Sequence, residues 1–290
     1  MKKDMPVFGI YEKALKPQSF GAMFADAKSA GYDTFELSID CTDERLARLN
    51  WGKKEIQEVR DAALEHEIDI LTMCLSGHKR YPLGSPDPQV VKTGMEMMEK
   101  AIDLAGGLGI RVIQLSGFDV YDEKDRTPQT RERYVENIRR AVKMAEQSCV
   151  TLAIEPVEGN LLTVKDTMEV VRAIPSPFLQ VYPDVANILS LGIDPIEDLT
   201  YGKGHIAAVH MRDSLPYIYD ATLLFGTGNL DFAKVFEKLD EMEYGGPFIV
   251  EMWNTERLDY QKYIRQAREY MEEQIKKVRS RACGSKEAQR

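Results

Sequence analysis

Eight short apolar, β-rich segments, each followed by a longer charged stretch with helical spacing, predict a single-domain α/β protein with the (β/α)₈ topology of a TIM barrel. A third observation agrees: no Gly-rich phosphate fingerprint follows the first segment, as the rival doubly wound open sheet would require. The 290 residues are 43% hydrophobic and 29% charged, enough for one such barrel, and no Pro/Gly/Ser-rich linker divides them.

In chain order the strand candidates read PVFGIY, DTFELSI, IDILTMCLS, IRVIQLSG, VTLAIEP, LQVYPD, IAAVHMRD and PFIVEMW. Nearly continuous apolar runs suit parallel strands buried on both faces. Between the third and fourth, Val90, Val91, Met95, Met98, Ala101 and Ile102 fall on one helical stripe across Gln89 to Leu104, with Gly106 and Gly107 as the expected stop. Ala30-Gly31, Gly107-Leu108-Gly109 and Gly245-Gly246-Pro247 each precede a strand, where a helix end needs left-handed or unstrained backbone. The barrel is expected over residues 1–275. The remainder, 276–290, ends in RSRACGSKEAQR, too poor in large apolar residues to pack by itself, and is read as a polar, frayed tail with Cys283 inert.

The formal charge of −9 and the scatter of basic residues argue against duplex nucleic acid or an anionic membrane as the main partner, and favour a small molecule. Cys41, Cys74, Cys149 and Cys283 are widely spaced, without paired metal-ligand spacing, and read as reduced thiols of a cytoplasmic protein. No stretch is apolar and long enough to span a bilayer or serve as an export signal.

Barrel enzymes carry their reactive groups at the C-terminal ends of strands. Glu155 ends the fifth segment, Asp184 the sixth, His210 lies near the end of the seventh and Glu251 follows the core of the eighth. Neighbouring strands bring these four to one arc of the barrel mouth, where they can converge on one ion. A lone strand-end carboxylate is as well explained by an ion pair; three in apolar surroundings call for a compensating positive centre, and a divalent cation is the simplest. Three carboxylates and one imidazole suit Mn²⁺, Zn²⁺, Fe²⁺ or Co²⁺ better than a thiolate-selecting role, with Zn²⁺ or Mn²⁺ the leading expectation.

The segments GIYEKAL, CLSGHKRYPLGS, GIRVIQLSGFDVY, VTLAIE, YPDVAN, HIAAVHMRD and PFIVEMW closely resemble, in matching order from about Gly9 to about Trp253, the L-xylulose-5-phosphate and L-ribulose-5-phosphate 3-epimerases of ascorbate breakdown, within the xylose-isomerase-like barrels. The resemblance implies one metal ion held by Glu155, Asp184, His210 and Glu251, with the two glutamates also serving as acid and base. It also implies a ketose phosphate substrate and a homodimer. Inverting a carbon beside a ketone needs a base on each face of it, and Glu155 and Glu251 come from different strands that could straddle a substrate.

Other polar residues near the predicted mouth have an active and a plain reading. His78 could bind a sugar hydroxyl or cap local backbone, and the resemblance favours the former. Arg212 could grip phosphate with its fork or pair with Asp213. Glu36 and Asn187 could bind hydroxyls or orient ligands, against a strand-end cap. Lys13 could face the mouth or be solvated. The basic loop residues Lys79 and Arg80 could attract phosphate or be solvated, and Phe225-Gly226-Thr227-Gly228 could present backbone amides to phosphate or form an ordinary turn. Glu12, Glu158 and Trp253 are candidate pocket walls. His66 and His205 precede strands, at the opposite end from the site.

Rival functions are an aldose–ketose isomerase or a 3-epimerase acting on another pentulose or hexulose phosphate, and a non-catalytic sugar-phosphate-binding barrel. An abasic-site endonuclease on the same barrel needs a histidine-rich zinc cluster and a basic surface, which four histidines and an acidic chain oppose.

Overall fold

A computed structural model describes residues 5–157, 159, 161–253 and 259–287, with side chains to residue 281. All eight predicted segments contain strands: β1 Phe8–Tyr11, β2 Thr34–Ser38, β3 Asp69–Leu75, β4 Val112–Ser116, β5 Thr151–Glu155, β6 Leu179–Val181, β7 Val209–Met211 and β8 Phe248–Val250. They form one sheet in the order β6-β5-β4-β3-β2-β1-β8-β7, parallel at every ladder. The seam between β6 and β7 is joined by isolated parallel bridges, Val181 with Ile206 and Asp184 with His210. Backbone N–H groups of Val181 and His210 donate across it to the carbonyls of His205 (2.9 Å) and Pro183 (2.8 Å). That pairing curls the sheet back on itself, the closure a (β/α)₈ barrel requires.

Helices intervene as the periodicity predicts: α1 Phe20–Ser29, α2 Asp43–Ala47, α3 Lys53–Glu65, α4 Pro88–Leu108, α5 Pro128–Ser148, α6 Val164–Ala173, α7 Val185–Ser190, α8 Pro195–Leu199, α9 Phe232–Glu241 and α10 Tyr260–Glu287. Local chemistry sets their starts. Asp87 caps α4 ahead of Pro88, and Thr127 and Thr163 cap α5 and α6 through their side-chain oxygens. Two stops differ from expectation. α4 runs through Gly106 and Gly107, and Gly109 ends it in the left-handed region at φ 81°. A Cβ on Gly107 would come within 3.0 Å of Ile56 Cδ1, so the glycine is spent on close packing against α3. After α9 the left-handed residue is Glu243, not Gly245 or Gly246. The expected boundary at residue 275 falls inside α10, where Ile275 and Val278 are still buried.

Burial on both faces of the strands conceals an alternation. Outward residues such as Phe8, Ile10, Phe35 and Leu37 join the large core beneath the helices. A smaller cluster of Tyr11, Cys74, Val112, Ala153, Tyr182, Ala208 and Ile249 fills the lumen. Gly9 makes room there, because a Cβ would sit 2.4 Å from Ile249 Cδ1. Polar side chains share the lumen: Tyr11 Oη lies 3.1 Å from Ser38 Oγ, and Tyr182 donates to Glu36 at 2.6 Å. A register shift between β2 and β3 at Phe35/Glu36 sets one extra residue on β3 just below this level.

Candidate active site

Each of the four strand-end residues reaches the mouth through its own element. Glu155 is the last residue of β5, His210 sits in β7, Glu251 follows β8, and Asp184 is the N-cap of α7. Asp184 Oδ1 accepts the backbone N–H groups of Ala186 (2.7 Å) and Asn187 (3.2 Å), which fixes the carboxylate before any ligand arrives. One donor atom from each of Glu155, Asp184, His210 and Glu251 lies within 4.8 Å of all the others. Their exposures are 7, 0, 1 and 8%, so the charges are held out of bulk water.

The imidazole of His210 organises the set. Nε2 lies 2.7 Å from Glu36 Oε1, while Nδ1 faces Glu155 Oε1 at 3.0 Å and Glu251 Oε2 at 3.4 Å. A neutral ring that donates Nε2–H to Glu36 keeps its Nδ1 lone pair for a cation, the usual division of labour in a metal-bound histidine. Burial resists charging the ring, but Glu36, Glu251 and Glu155 outweigh it and raise its pKa well above the ordinary value. Burial raises the carboxyl pKa of Glu155 despite His210, and that of Asp184 despite Arg212. Burial acts the same way on Glu251, but His210 and Arg212 prevail and hold it below the ordinary range. Negative charge is thus crowded around one imidazole, and a divalent cation that displaced the Nδ1 proton would meet a donor set that fits it.

Arg212 and Asn187 flank the cluster. Arg212 is buried; its Nη2 donates to Asp184 Oδ2 at 2.8 Å and to Asn187 Oδ1 at 2.5 Å, and its Nε lies 3.8 Å from Glu251 Oε2. Its ion pair is therefore with Asp184, not Asp213, and its Nη1 has no hydrogen-bond partner among the described residues. Asn187 Nδ2 lies 3.5 Å from Glu155 Oε1. Trp253, at the rim, donates Nε1–H to Glu251 Oε1 at 3.0 Å, and Lys13 Nζ stands 4.4 Å from its ring while paired with Asp40 at 2.9 Å.

Several expected contacts are engaged elsewhere. Each carboxylate oxygen of Glu36 has a partner, His210 and Tyr182, and the residue has no exposed surface, so it orients the His210 ring from within the lumen. His78 is buried with Nε2 3.1 Å from the Gly94 carbonyl, and burial pushes its pKa down to about 4; this neutral ring pins the loop after β3 onto α4. Glu12 chelates the Arg48 guanidinium at 2.7 and 2.8 Å, and the two line a pocket with Gln18 and Arg45. The amides of Gly226 and Gly228 donate to Asp213 Oδ2 at 2.8 and 2.9 Å, so an internal carboxylate fills the cradle considered for phosphate. Arg80 pairs with Asp43, and Lys79 lies over Tyr121. His205 meets Gln180, and His66 caps the C-terminus of α3. Cys41, Cys74 and Cys149 are free thiols. Glu158 lies outside the described residues.

Sequence reasoning missed two lumen residues that touch this site: Tyr182, through Glu36, and Gln114, whose Nε2 donates to Glu155 Oε2 at 2.5 Å. Their signal was a polar group inside an apolar strand segment, in IRVIQLSG and LQVYPD.

Comparison with known proteins agrees with this architecture. The model of the family described as "Xylose isomerase-like TIM barrel" matches residues 24–274. L-ribulose-5-phosphate 3-epimerase UlaE of Escherichia coli is 37% identical over 280 residues, 96% of this chain and 98% of its own. Among solved structures, an L-ribulose 3-epimerase superposes with a TM-score of 0.78 at 20% identity, covering 96% of this chain and 97% of its own. A D-tagatose 3-epimerase-like protein does so with 0.80 at 20% identity, covering 95% and 99%. At that identity the two structures speak for the fold alone. The family match, the full-length relative and a closed parallel barrel with its acidic cluster at the strand ends together show that the chain belongs to the xylose isomerase-like TIM barrel family.

Proposed function

We propose that the chain is a metal-dependent 3-epimerase that interconverts L-ribulose 5-phosphate and L-xylulose 5-phosphate. The observation that carries this reading is the 37% identity to UlaE over 96% of the chain. The buried quartet supports it from chemistry, because it supplies two glutamates around one cation-binding locus.

Epimerisation at C3 requires removal of the proton next to the C2 ketone and its return to the opposite face. In this reading one of Glu155 and Glu251 accepts the C3 proton and the other delivers one from the far side, with roles exchanged in the reverse direction. Glu155, Asp184, His210 and Glu251 would hold the divalent ion, Zn²⁺ or Mn²⁺, whose Lewis acidity favours the oxyanion that develops on the substrate. Arg212, through its uncommitted Nη1, and Asn187 would orient substrate oxygens, and Lys13 beside Trp253 would stand at the rim. Glu158 is assigned to substrate on the resemblance alone.

The partner class is a small ketose phosphate, and the assembly a homodimer by family likeness. Among the described residues no helix is long and apolar enough to cross a membrane; a cytoplasmic location is part of the same proposal.

Proton NMR in D₂O with each pentulose phosphate, with and without chelator, tests the assignment. Chelator-sensitive loss of the C3–H signal, with C1 protons retained, is the expected result. Exchange at C1 would identify an aldose–ketose isomerase, and binding without exchange a sugar-phosphate-binding protein.

A further inference from the structure

Gln114 is the polar residue inside β4, flanked by Val112, Ile113 and Leu115, with Ser116 ending the strand. It has no exposed surface, and its β-ladder neighbours are Cys74 on β3 and Ala153 on β5, both members of the lumen cluster. Two residues further along the same ladder, Ser116 stands opposite Glu155. The amide therefore rises one layer through the lumen to reach Glu155 from beneath, and Nε2 donates to Oε2 at 2.5 Å. The other oxygen, Oε1, is the one that faces His210 Nδ1 at 3.0 Å and Asn187 Nδ2 at 3.5 Å. Gln114 Oε1 is buried without a hydrogen-bond partner among the described residues. As packing alone the amide is a poor choice, because its own Oε1 is left unpaired, whereas a hydrocarbon of the same shape would carry no unpaired atom of its own. The donated N–H is what such a residue contributes.

We propose that Gln114 is a positioning residue for Glu155: by holding Oε2 it sets the carboxylate plane so that Oε1 points into the cation-binding cluster. This rests on the reading of Glu155 as metal-holding acid–base given above. Methionine matches the length of glutamine and lacks the donor, so Gln114→Met isolates the hydrogen bond; Gln114→Leu is a second donor-free replacement should the first fold poorly. Thr167→Val, which removes a buried hydroxyl on α6, controls for loss of any interior polar group.

Three quantities are to be read on purified protein: C3 solvent-exchange kcat and KM with Mn²⁺ saturating, Mn²⁺ affinity by calorimetry, and the thermal midpoint without metal. The expected result is a fall of roughly 10–100-fold in kcat or in Mn²⁺ affinity with KM near wild type, beyond what the lowering of the metal-free midpoint by the lost hydrogen bond accounts for. Thr167→Val should leave kcat and Mn²⁺ affinity unchanged. Unaltered kcat and Mn²⁺ affinity in both Gln114 variants would overturn the proposal, as would losses that merely follow a lowered midpoint. A wild-type chain without C3 exchange would sink the epimerase reading instead, leaving Mn²⁺ affinity to decide the role of Gln114.

Discussion

Glu36 Oε1 lies 2.7 Å from His210 Nε2, and both side chains are shut off from solvent. The other Glu36 oxygen accepts from Tyr182 Oη at 2.6 Å, so the imidazole is oriented by a carboxylate that is itself held in place. Glu36→Gln keeps the shape but weakens the hold on the ring. A loss of roughly 10–100-fold in metal affinity is expected, measurable by competition with a chromogenic chelator. An affinity equal to wild type would remove Glu36 from the support of His210.

The two glutamates give the most direct chemical prediction. Glu155→Gln and Glu251→Gln should each slow C3 exchange by about 10²–10⁴-fold, the usual worth of a positioned acid or base. The measurement is deuterium incorporation followed from each pentulose phosphate separately. Wild-type exchange rates in either variant would dismiss that glutamate.

Arg212 compensates buried negative charge, with Asp184 at 2.8 Å and Glu251 at 3.8 Å. Removing one partner of a buried ion pair costs about 3–5 kcal/mol, because the other is left uncompensated. Arg212→Met should therefore lower the thermal midpoint of the chelated protein strongly, and that of the metal-loaded protein less, since the cation relieves part of the repulsion. Equal losses in both forms would contradict this account.

Metal binding should also be visible in the wild type. A cation present at 100 times its dissociation constant stabilises the native state by about 2.7 kcal/mol if the unfolded chain does not bind it. Melting curves with excess EDTA, and again after Mn²⁺ or Zn²⁺ is restored, should differ reversibly. Coincident curves would argue that the quartet holds no ion.

His78 makes a prediction about pH. Burial lowers its pKa to about 4 from 6.5, so the unfolded chain binds the proton more tightly than the native one. The associated stability is present above pH 6.5 and is lost as pH falls from 6.5 through 4, by roughly 3 kcal/mol. His78→Gln retains a donor for the Gly94 carbonyl and does not titrate; it should flatten that acid limb in urea titrations at pH 6.5 and pH 4. If kcat/KM instead collapses while the pH dependence of stability is unchanged, His78 serves the substrate after all.

The strand segments were legible because parallel strands buried on both sides must be apolar nearly throughout, and Glu155, Asp184, His210 and Glu251 stood out as polar residues at the ends of such runs. Position along a strand is local information, and in a barrel it fixes which rim a side chain joins. The partners of those side chains are not local. Gln114 meets Glu155 across a neighbouring ladder, Glu36 meets His210 across the lumen, His78 turns to Gly94, and Asp213 takes the amides of Gly226 and Gly228. Each of those pairings depends on register, on how the β6–β7 seam closes and on which groups share a cavity, so only the folded chain decides them.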